Sequence, residues 1–462
     1  MKNSTLVFAL TFLLALSGHT AKATIVLPSF FSDNMVLQRN ADVKFWGWGS
    51  PFEEVVVHTG WDNKEYKLKP NNQSYWEVTL KTPGAGGPYT INFKGENKVA
   101  LNNVMLGEVW LCSGQSNMEW TPALGIDNAE AEIAKANYPN IRFFTAPKLA
   151  SEHPQMNVPG HWEACTPQSM RNFSAVAYYF AQHLQEDLKG VPIGMINSSW
   201  AGSPAEPWIP KEYVAAHPVL STAAAKVAPV SFTPTEPGRT FNAMIKPLVG
   251  YKIAGVLWYQ GESNSTSAVY DKTLEGLIRA WRGEWKDDFP FYYVQIAPYN
   301  YGGDIYQGAV LRDAQRKVLQ AVPQTGMVVV GDISPTDDIH PKNKKTVGQR
   351  LANLALTSRY NVNKGIVNGP LYKDFTIDKS KVTINFENAK GLHFKGKTST
   401  QFEIAGEDGI FHPAEAKLIK ETVVLSSKLV KNPLMVRYCW HNTAQPDLFN
   451  SAGLPASTFA SR

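Results

Sequence analysis

The chain has 462 residues, 45 Lys and Arg against 40 Asp and Glu (formal charge +5), 44% hydrophobic residues and 3 cysteines. That length exceeds one average domain of roughly 100–200 residues, the apolar fraction excludes wholesale disorder, and so few cysteines exclude a disulfide-dense scaffold. The charge is small and holds no Lys/Arg run of the kind that marks a nucleic-acid surface.

Residues 1–23 read as a secretory signal peptide. Lys2 supplies the positive start, Leu6 to Leu16 the apolar run, and Ala21-Lys22-Ala23 a small-x-small cleavage site. Ser17, His19, Thr20 and Lys22 close the run short of the roughly 17 residues that a spanning helix needs. The expectation is an exported protein, periplasmic or extracellular, with no membrane span in the mature chain. Cleavage removes Lys2 and Lys22 and no acid, which lowers the formal charge from +5 to +3. Cys112, Cys165 and Cys439 can form at most one pair, and no paired Cys/His ligands suggest a structural zinc.

Residues 24–104 alternate in short strands at Val43–Trp48, Glu54–His58, Tyr75–Leu80 and Tyr89–Phe93. Gly/Pro/Asn clusters separate them, which predicts a small β-rich domain. From 105 to 365 the texture changes. Apolar runs at Val109–Leu111, Val191–Ile196, Ile253–Trp258, Phe291–Ile296 and Met327–Val330 alternate with helical stretches near Phe173–Leu188, Ala268–Trp285, Ala309–Gln320 and Lys345–Ser358. Buried runs interleaved with amphipathic helices predict an α/β unit on a central parallel sheet. Ala215–Pro237 reads as a surface excursion. Strands return in 366–462 at Lys381–Phe386, Gln401–Ile404, Val423–Ser426 and Leu434–Trp440, which predicts a second β-rich region.

Chemistry-bearing residues follow three of the predicted strands. Leu111-Cys112-Ser113-Gly114-Gln115-Ser116 leaves an apolar run through a glycine turn, so Ser116 stands at the carboxyl end of a strand, where sites lie in open α/β sheets. As a nucleophile it needs a base and an oxyanion hole; as a plain turn residue it would cap a helix with Glu119. Asp337-Asp338-Ile339-His340-Pro341 sets a histidine beside carboxylates, the partners that a general base requires, although such clusters also occur as solvated loops. Trp258-Tyr259-Gln260-Gly261-Glu262-Ser263-Asn264 offers side-chain amides, and Gly202 a backbone N–H, to a developing oxyanion. A rival reading takes Glu206 and Glu262 as an acid pair for glycoside hydrolysis.

Together the blocks Gly107 to Trp120, Trp258 to Asn264 and Asp338 to Lys344 resemble, in order, those of the sialate O-acetylesterase family, a branch of the SGNH hydrolases. The resemblance runs from Leu27-Pro28-Ser29-Phe30-Phe31 to His441-Asn442-Thr443-Ala444. It implies an SGNH-type three-layer α/β fold, flanked by the N- and C-terminal β-rich regions. It also implies a serine esterase that removes O-acetyl groups from carbohydrate, with O-acetylated sialic acid first and acetylxylan or other glycans next. By position Ser116 resembles the nucleophile, His340 the base, and Gly202, Gln260 and the Ser116 amide the oxyanion hole, with Asn264 second in line. The D-x-x-H pattern picks Asp337 as the acid and D-I-H-P picks Asp338; Asp338 is preferred and Asp337 is the alternative. No metal or organic cofactor is implied. An arginine would suit a sialate carboxylate, and Arg312 and Arg350 are available. An exported glycan-binding protein and a glycosidase are the readings from other classes.

Overall fold

The computed structural model describes residues 25–51 and 53–461, so the expected signal peptide at 1–23 lies outside the described residues. The core is a parallel sheet in the order Thr325–Val328, Phe291–Val294, Gly255–Tyr259, Lys98–Gly114, Ile193–Ser199, Tyr138–Thr145, with Trp162–Cys165 antiparallel at the edge. Ile193–Ser199, Gly255–Tyr259 and Phe291–Val294 are buried from end to end, as a sheet covered on both faces requires. One face packs on helices Ala175–Asp187 and Lys344–Ser358, which lie against each other; Tyr270–Trp285 and Gln307–Ala321 cover the opposite face. This is the three-layer α/β architecture. The central strands and all four helices fall where hydrophobic periodicity sets them, to within a few residues. Tyr138–Thr145 and Trp162–Cys165 carry no expectation from sequence, because their turn punctuation is weak.

Lys98–Gly114 is the strand that organises the molecule. Its first half pairs antiparallel with Gly86–Lys94, in the N-terminal β-rich region, and parallel with Val36–Gln38; its second half is the middle of the central sheet. The boundary expected between 104 and 105 therefore falls inside a strand rather than in a linker. The junction is fastened by buried Glu108, which accepts hydrogen bonds from Gln38 Nε2 (2.8 Å), Arg39 Nε (2.7 Å) and Tyr360 Oη (2.9 Å). A buried carboxylate is tolerated when its oxygens are paired in this way. Trp110, one residue pair along the strand, is fully buried between Phe180 and Tyr292, and truncating such a side chain costs about 3–5 kcal/mol.

The C-terminal region holds the antiparallel sheet Leu371–Asp378, Lys381–Glu387, Thr422–Ser426, Glu415–Ile419 and a second one built on Phe402–Ala405 and Met435–Tyr438, around its own apolar core. Arg312 reaches into it from the Gln307–Ala321 helix. It donates to Thr458 Oγ1 (2.9 Å) and to the carbonyls of Cys439, His441 and Asn442. The three cysteines are buried and unpaired. Among the described residues no helix is long and apolar enough to cross a membrane.

Candidate active site

The first strand in chain order is also the most central, so the sheet's order reverses beside it, and loops diverge there to open a crevice. Ser116, Gly202 and Glu262 follow the adjacent strands Lys98–Gly114, Ile193–Ser199 and Gly255–Tyr259. The Ser116 turn depends on Gly114. Its φ of +137° belongs to the glycine region, and a Cβ there would stand 2.2 Å from the Tyr259 carbonyl oxygen. That close approach lets Gln115 N–H donate to the same carbonyl at 3.0 Å, which swings Ser116 out of the sheet.

His340 comes from the loop after the edge strand Thr325–Val328 and returns across the sheet to the crevice. Its Nε2 lies 2.8 Å from Ser116 Oγ. The ring stacks on Trp120 with centroids 4.2 Å apart and planes 20° apart. Burial, helped by the positive charge of Lys344, lowers the imidazole's proton affinity, and Asp338 opposes this. The ring therefore stays neutral, as a proton acceptor, below the ordinary histidine value.

The two candidate acids are not equivalent. Asp337 is exposed, whereas Asp338 is half-buried, accepts the His340 backbone N–H on Oδ1 at 2.8 Å, and bears electrostatically on the imidazole. Among the described residues no carboxylate hydrogen-bonds the His340 ring itself.

Gly202 stands at φ +74° with its N–H, like that of Ser116, given to no protein acceptor among the described residues. Its turn is anchored on both sides. Glu119 Oε2 accepts from Ala201 N–H at 2.6 Å while Glu119 also pairs with Lys148, and Ser263 Oγ donates to the Gly202 carbonyl. Glu119 thus braces the neighbouring turn instead of completing a capping box with Ser116. Ser116, Gly202, His340, Glu262, Tyr301 and Phe232 line a cleft of about 330 Å³.

The side-chain amides expected in the oxyanion hole are placed differently. Gln260 is fully buried and donates both N–H groups inward, to Ser203 O (3.2 Å) and Asn264 Oδ1 (2.7 Å), while its own oxygen accepts from Tyr270 Oη (2.7 Å). Asn264 donates to both oxygens of Glu206 at 3.1 and 3.0 Å. Both N–H groups of Gln260 are spent inside the loop and the Asn264 amide is turned to Glu206, so these side chains fasten the loop where the sequence suggested oxyanion donors, and the backbone N–H groups of Ser116 and Gly202 face the cleft unspent among the described residues.

The acid pair of the glycosidase reading is taken up in the same way. Glu206 is held by Asn264, and Glu262 Oε1 by Asn117 Nδ2 at 2.6 Å; burial raises the proton affinity of both. Nor does either arginine serve the cleft, since Arg312 is spent on the C-terminal region and Arg350 forms a two-pronged pair with Asp332 at 2.7 Å.

Ala215–Pro237 does lie at the surface. Flanked and partly formed by short helices Lys211–Ala216 and Pro218–Ala224, it walls a groove of about 750 Å³ that shares Gly202, Phe232 and Ser263 with the cleft. Sequence reasoning passed over Asn117, Trp120 and Lys344. All three stand inside the blocks that carry the resemblance, and only for Asn117, a polar residue between Ser116 and Met118 after a buried strand, did the sequence hold a local signal.

A serine hydroxyl on a neutral imidazole, beside two open N–H groups, has the parts for acyl transfer. Comparisons with known proteins point the same way. The family described as carbohydrate esterase, sialic acid-specific acetylesterase matches residues 106–357. The chain is similar to the sialate O-acetylesterase of Homo sapiens, 30% identical over 421 residues that span 82% of this chain and 79% of that protein. Against the sialate O-acetylesterase of Mus musculus it is 30% identical over 448 residues, 82% and 81% of the two chains. A crystal structure of a carbohydrate acetylesterase from Xanthomonas citri superposes with a TM-score of 0.87 at 35% identity, covering 95% of this chain and all of that one.

Proposed function

Because the chain belongs to the carbohydrate esterase, sialic acid-specific acetylesterase family and is a carboxylic ester hydrolase, we propose that it removes O-acetyl groups from sialic acid with Ser116 as nucleophile, His340 as base and Asp338 as the acid behind it. The single observation that carries the site assignment is the 2.8 Å contact between His340 Nε2 and Ser116 Oγ. Ser116 Oγ attacks the acetyl carbonyl carbon as its proton passes to His340 Nε2. The oxyanion forms between the N–H groups of Ser116 and Gly202. Its collapse expels the sugar oxygen, which takes the proton from His340 and leaves as a hydroxyl. Water, deprotonated by the same imidazole, then attacks the acetyl-serine and releases acetate. Asp338 stabilises the imidazolium through space and fixes its loop through the His340 N–H.

The proposal extends to the setting. Residues 1–23 direct export, 105–365 form the esterase unit, and the β-rich regions 24–104 and 366–462 brace it. The groove beside Phe232 supplies room for the rest of the glycan.

The test is acetate release from a panel of O-acetylated sialic acids, acetylated xylan and p-nitrophenyl acetate. The expected result is the highest kcat/KM on the sialic acids and a Ser116→Ala variant that stays folded but loses at least about 10³-fold in kcat on all of them. A preference for xylan would move the substrate to neutral glycans, and wild-type turnover by Ser116→Ala would remove the nucleophile.

A further inference from the structure

The three motif blocks contain polar residues that the reaction above does not use, and three of these meet behind the cleft. Asn117, next to Ser116, is completely buried. Its Nδ2 donates to Glu262 Oε1 at 2.6 Å and to the Ile339 carbonyl at 2.9 Å, and its Oδ1 accepts from Lys344 Nζ at 2.5 Å. Glu262 belongs to the second block; Ile339 and Lys344 belong to the third, on either side of His340. One amide thus joins the nucleophile's turn, the loop after the neighbouring strand and the loop that carries the imidazole.

We propose that Asn117, gripped by Glu262 and Lys344, is the positioning residue that holds His340 in register with Ser116. The inference rests on the reading of those two residues as base and nucleophile.

The argument from donors and acceptors is restrictive. With Glu262 ionised and Lys344 protonated, Glu262 Oε1 and the Ile339 carbonyl accept from the Asn117 side chain, and the Lys344 ammonium donates to it. Only a group with two N–H donors on one atom and an acceptor on the other satisfies all three, so the amide has one orientation and asparagine one role. Aspartate would set an oxygen against two acceptors; alanine would leave three buried groups unpaired.

The contact to Ile339 bears directly on geometry, because that carbonyl immediately precedes His340. The His340 loop has crossed the sheet from its edge strand; the Asp338 turn and the Trp120 stack also hold it near the ring, and hydrogen bonds from Asp127 N–H to the Lys342 carbonyl (3.2 Å) and from Gln445 Nε2 to the Ser334 carbonyl (2.7 Å) hold it further out. Lys344 is 1% exposed, and its ammonium faces the rings of Trp120 and Tyr259 at 5.9 and 5.6 Å. Carrying a lysine into such a site is costly and pushes its amine down to about 7. Glu262 Oε2, meanwhile, is buried with no hydrogen-bond partner among the described residues. Such polar burial is retained where it specifies one arrangement. Displacing a reacting group by about 1 Å can cost on the order of 10²-fold in rate, which is the scale expected of this clamp.

The experiment uses the full-length enzyme, p-nitrophenyl acetate and a fluorophosphonate probe. The final extent of probe labelling counts folded sites carrying Ser116, and its rate reads the reactivity of Ser116. Asn117→Asp and Asn117→Ala should each lose about 10²-fold in kcat per labelled site, with KM within threefold and the labelling rate reduced in parallel. Glu262→Gln, whose amide oxygen still accepts from Asn117, should lose less in kcat per labelled site than Asn117→Ala. Lys344→Met, which keeps both bonds donated by Asn117, tests the grip if the Asn117 variants fail to fold; a loss of about tenfold in kcat is expected.

Wild-type kcat per labelled site in any foldable Asn117 variant, a loss confined to KM, or an unaffected Lys344→Met would overturn the clamp. If the wild-type enzyme is not labelled at Ser116, the nucleophile assignment itself has failed, and the two failures are told apart by that first measurement.

Discussion

The edge of the cleft and the loop directly behind it are made of similar residues and do opposite things. At the edge, Ser116 Oγ hydrogen-bonds to the His340 ring, and the N–H groups of Ser116 and Gly202 are given to no protein acceptor among the described residues. Behind it, Gln260, Asn264, Glu206 and Tyr270 hydrogen-bond to one another and to Ser203 and Ala205. Both sets follow strands of the same sheet and both are rich in polar side chains. Polarity at a strand's carboxyl end therefore does not by itself mark chemistry. What separates reactive surface from scaffold is whether hydrogen-bonding capacity remains unspent.

The sharpest way to break that contrast is a pair of substitutions. Ser116→Ala should abolish turnover, by at least about 10³-fold in kcat, with the midpoint of chemical denaturation unchanged. Gln260→Leu should do the reverse. It takes one partner each from Ser203 O, Asn264 Oδ1 and Tyr270 Oη, of which the last two keep the Ala205 N–H and the residue-260 carbonyl, costs about 1–3 kcal/mol in denaturation, and leaves kcat within a few-fold. A Gln260→Leu variant of normal stability but lost activity would return this amide to the oxyanion.

A smaller effect separates the two acids. Asp338→Asn still accepts the His340 N–H but loses the charge, so kcat should fall by about 10- to 100-fold. Asp337→Asn, an exposed change, should alter it less than threefold. Equal losses would mean that both carboxylates serve the imidazole.

The smallest effect is a shift in pH. Activity needs neutral His340, and burial together with Lys344 holds its pKa below the ordinary value of 6.5. The acid limb of kcat/KM should therefore have its midpoint below that value, with activity lost as pH falls through it and retained above. Asp338→Asn, by removing the one charge that favours the imidazolium, should move the midpoint lower still. A wild-type midpoint above 6.5 would contradict the geometry of the His340 pocket.

Much of this could be read along the chain. The parallel strands and four helices announce themselves because a sheet covered on both faces needs unbroken apolar runs, and helices on its surface need a 3.6-residue period. Ser116 and His340 were legible because a glycine turn after a buried strand and a histidine beside carboxylates are local patterns. The Lys98–Gly114 strand was seen only in part, since its exposed first half and buried second half follow different patterns, and the expected boundary at 104 falls between them. The amides of the second block are harder to read for another reason. Gln260 and Asn264 stand beside the cleft in sequence, but whether an amide faces a substrate or a neighbour depends on who its neighbours are.

By itself, then, the sequence determined the layer architecture and the family, and it singled out Ser116 and His340, whose side chains meet at 2.8 Å. These rest on hydrophobic period and on residues close together in the chain. Only the tertiary structure decided that Asp338 rather than Asp337 bears on the imidazole, that backbone N–H groups rather than Gln260 and Asn264 are left open, and that Asn117, Glu262 and Lys344 meet. Each of those is a question of which donor finds which acceptor across up to 227 positions of chain, and a hydrogen bond is settled by distance and direction in space, which no spacing along a sequence encodes.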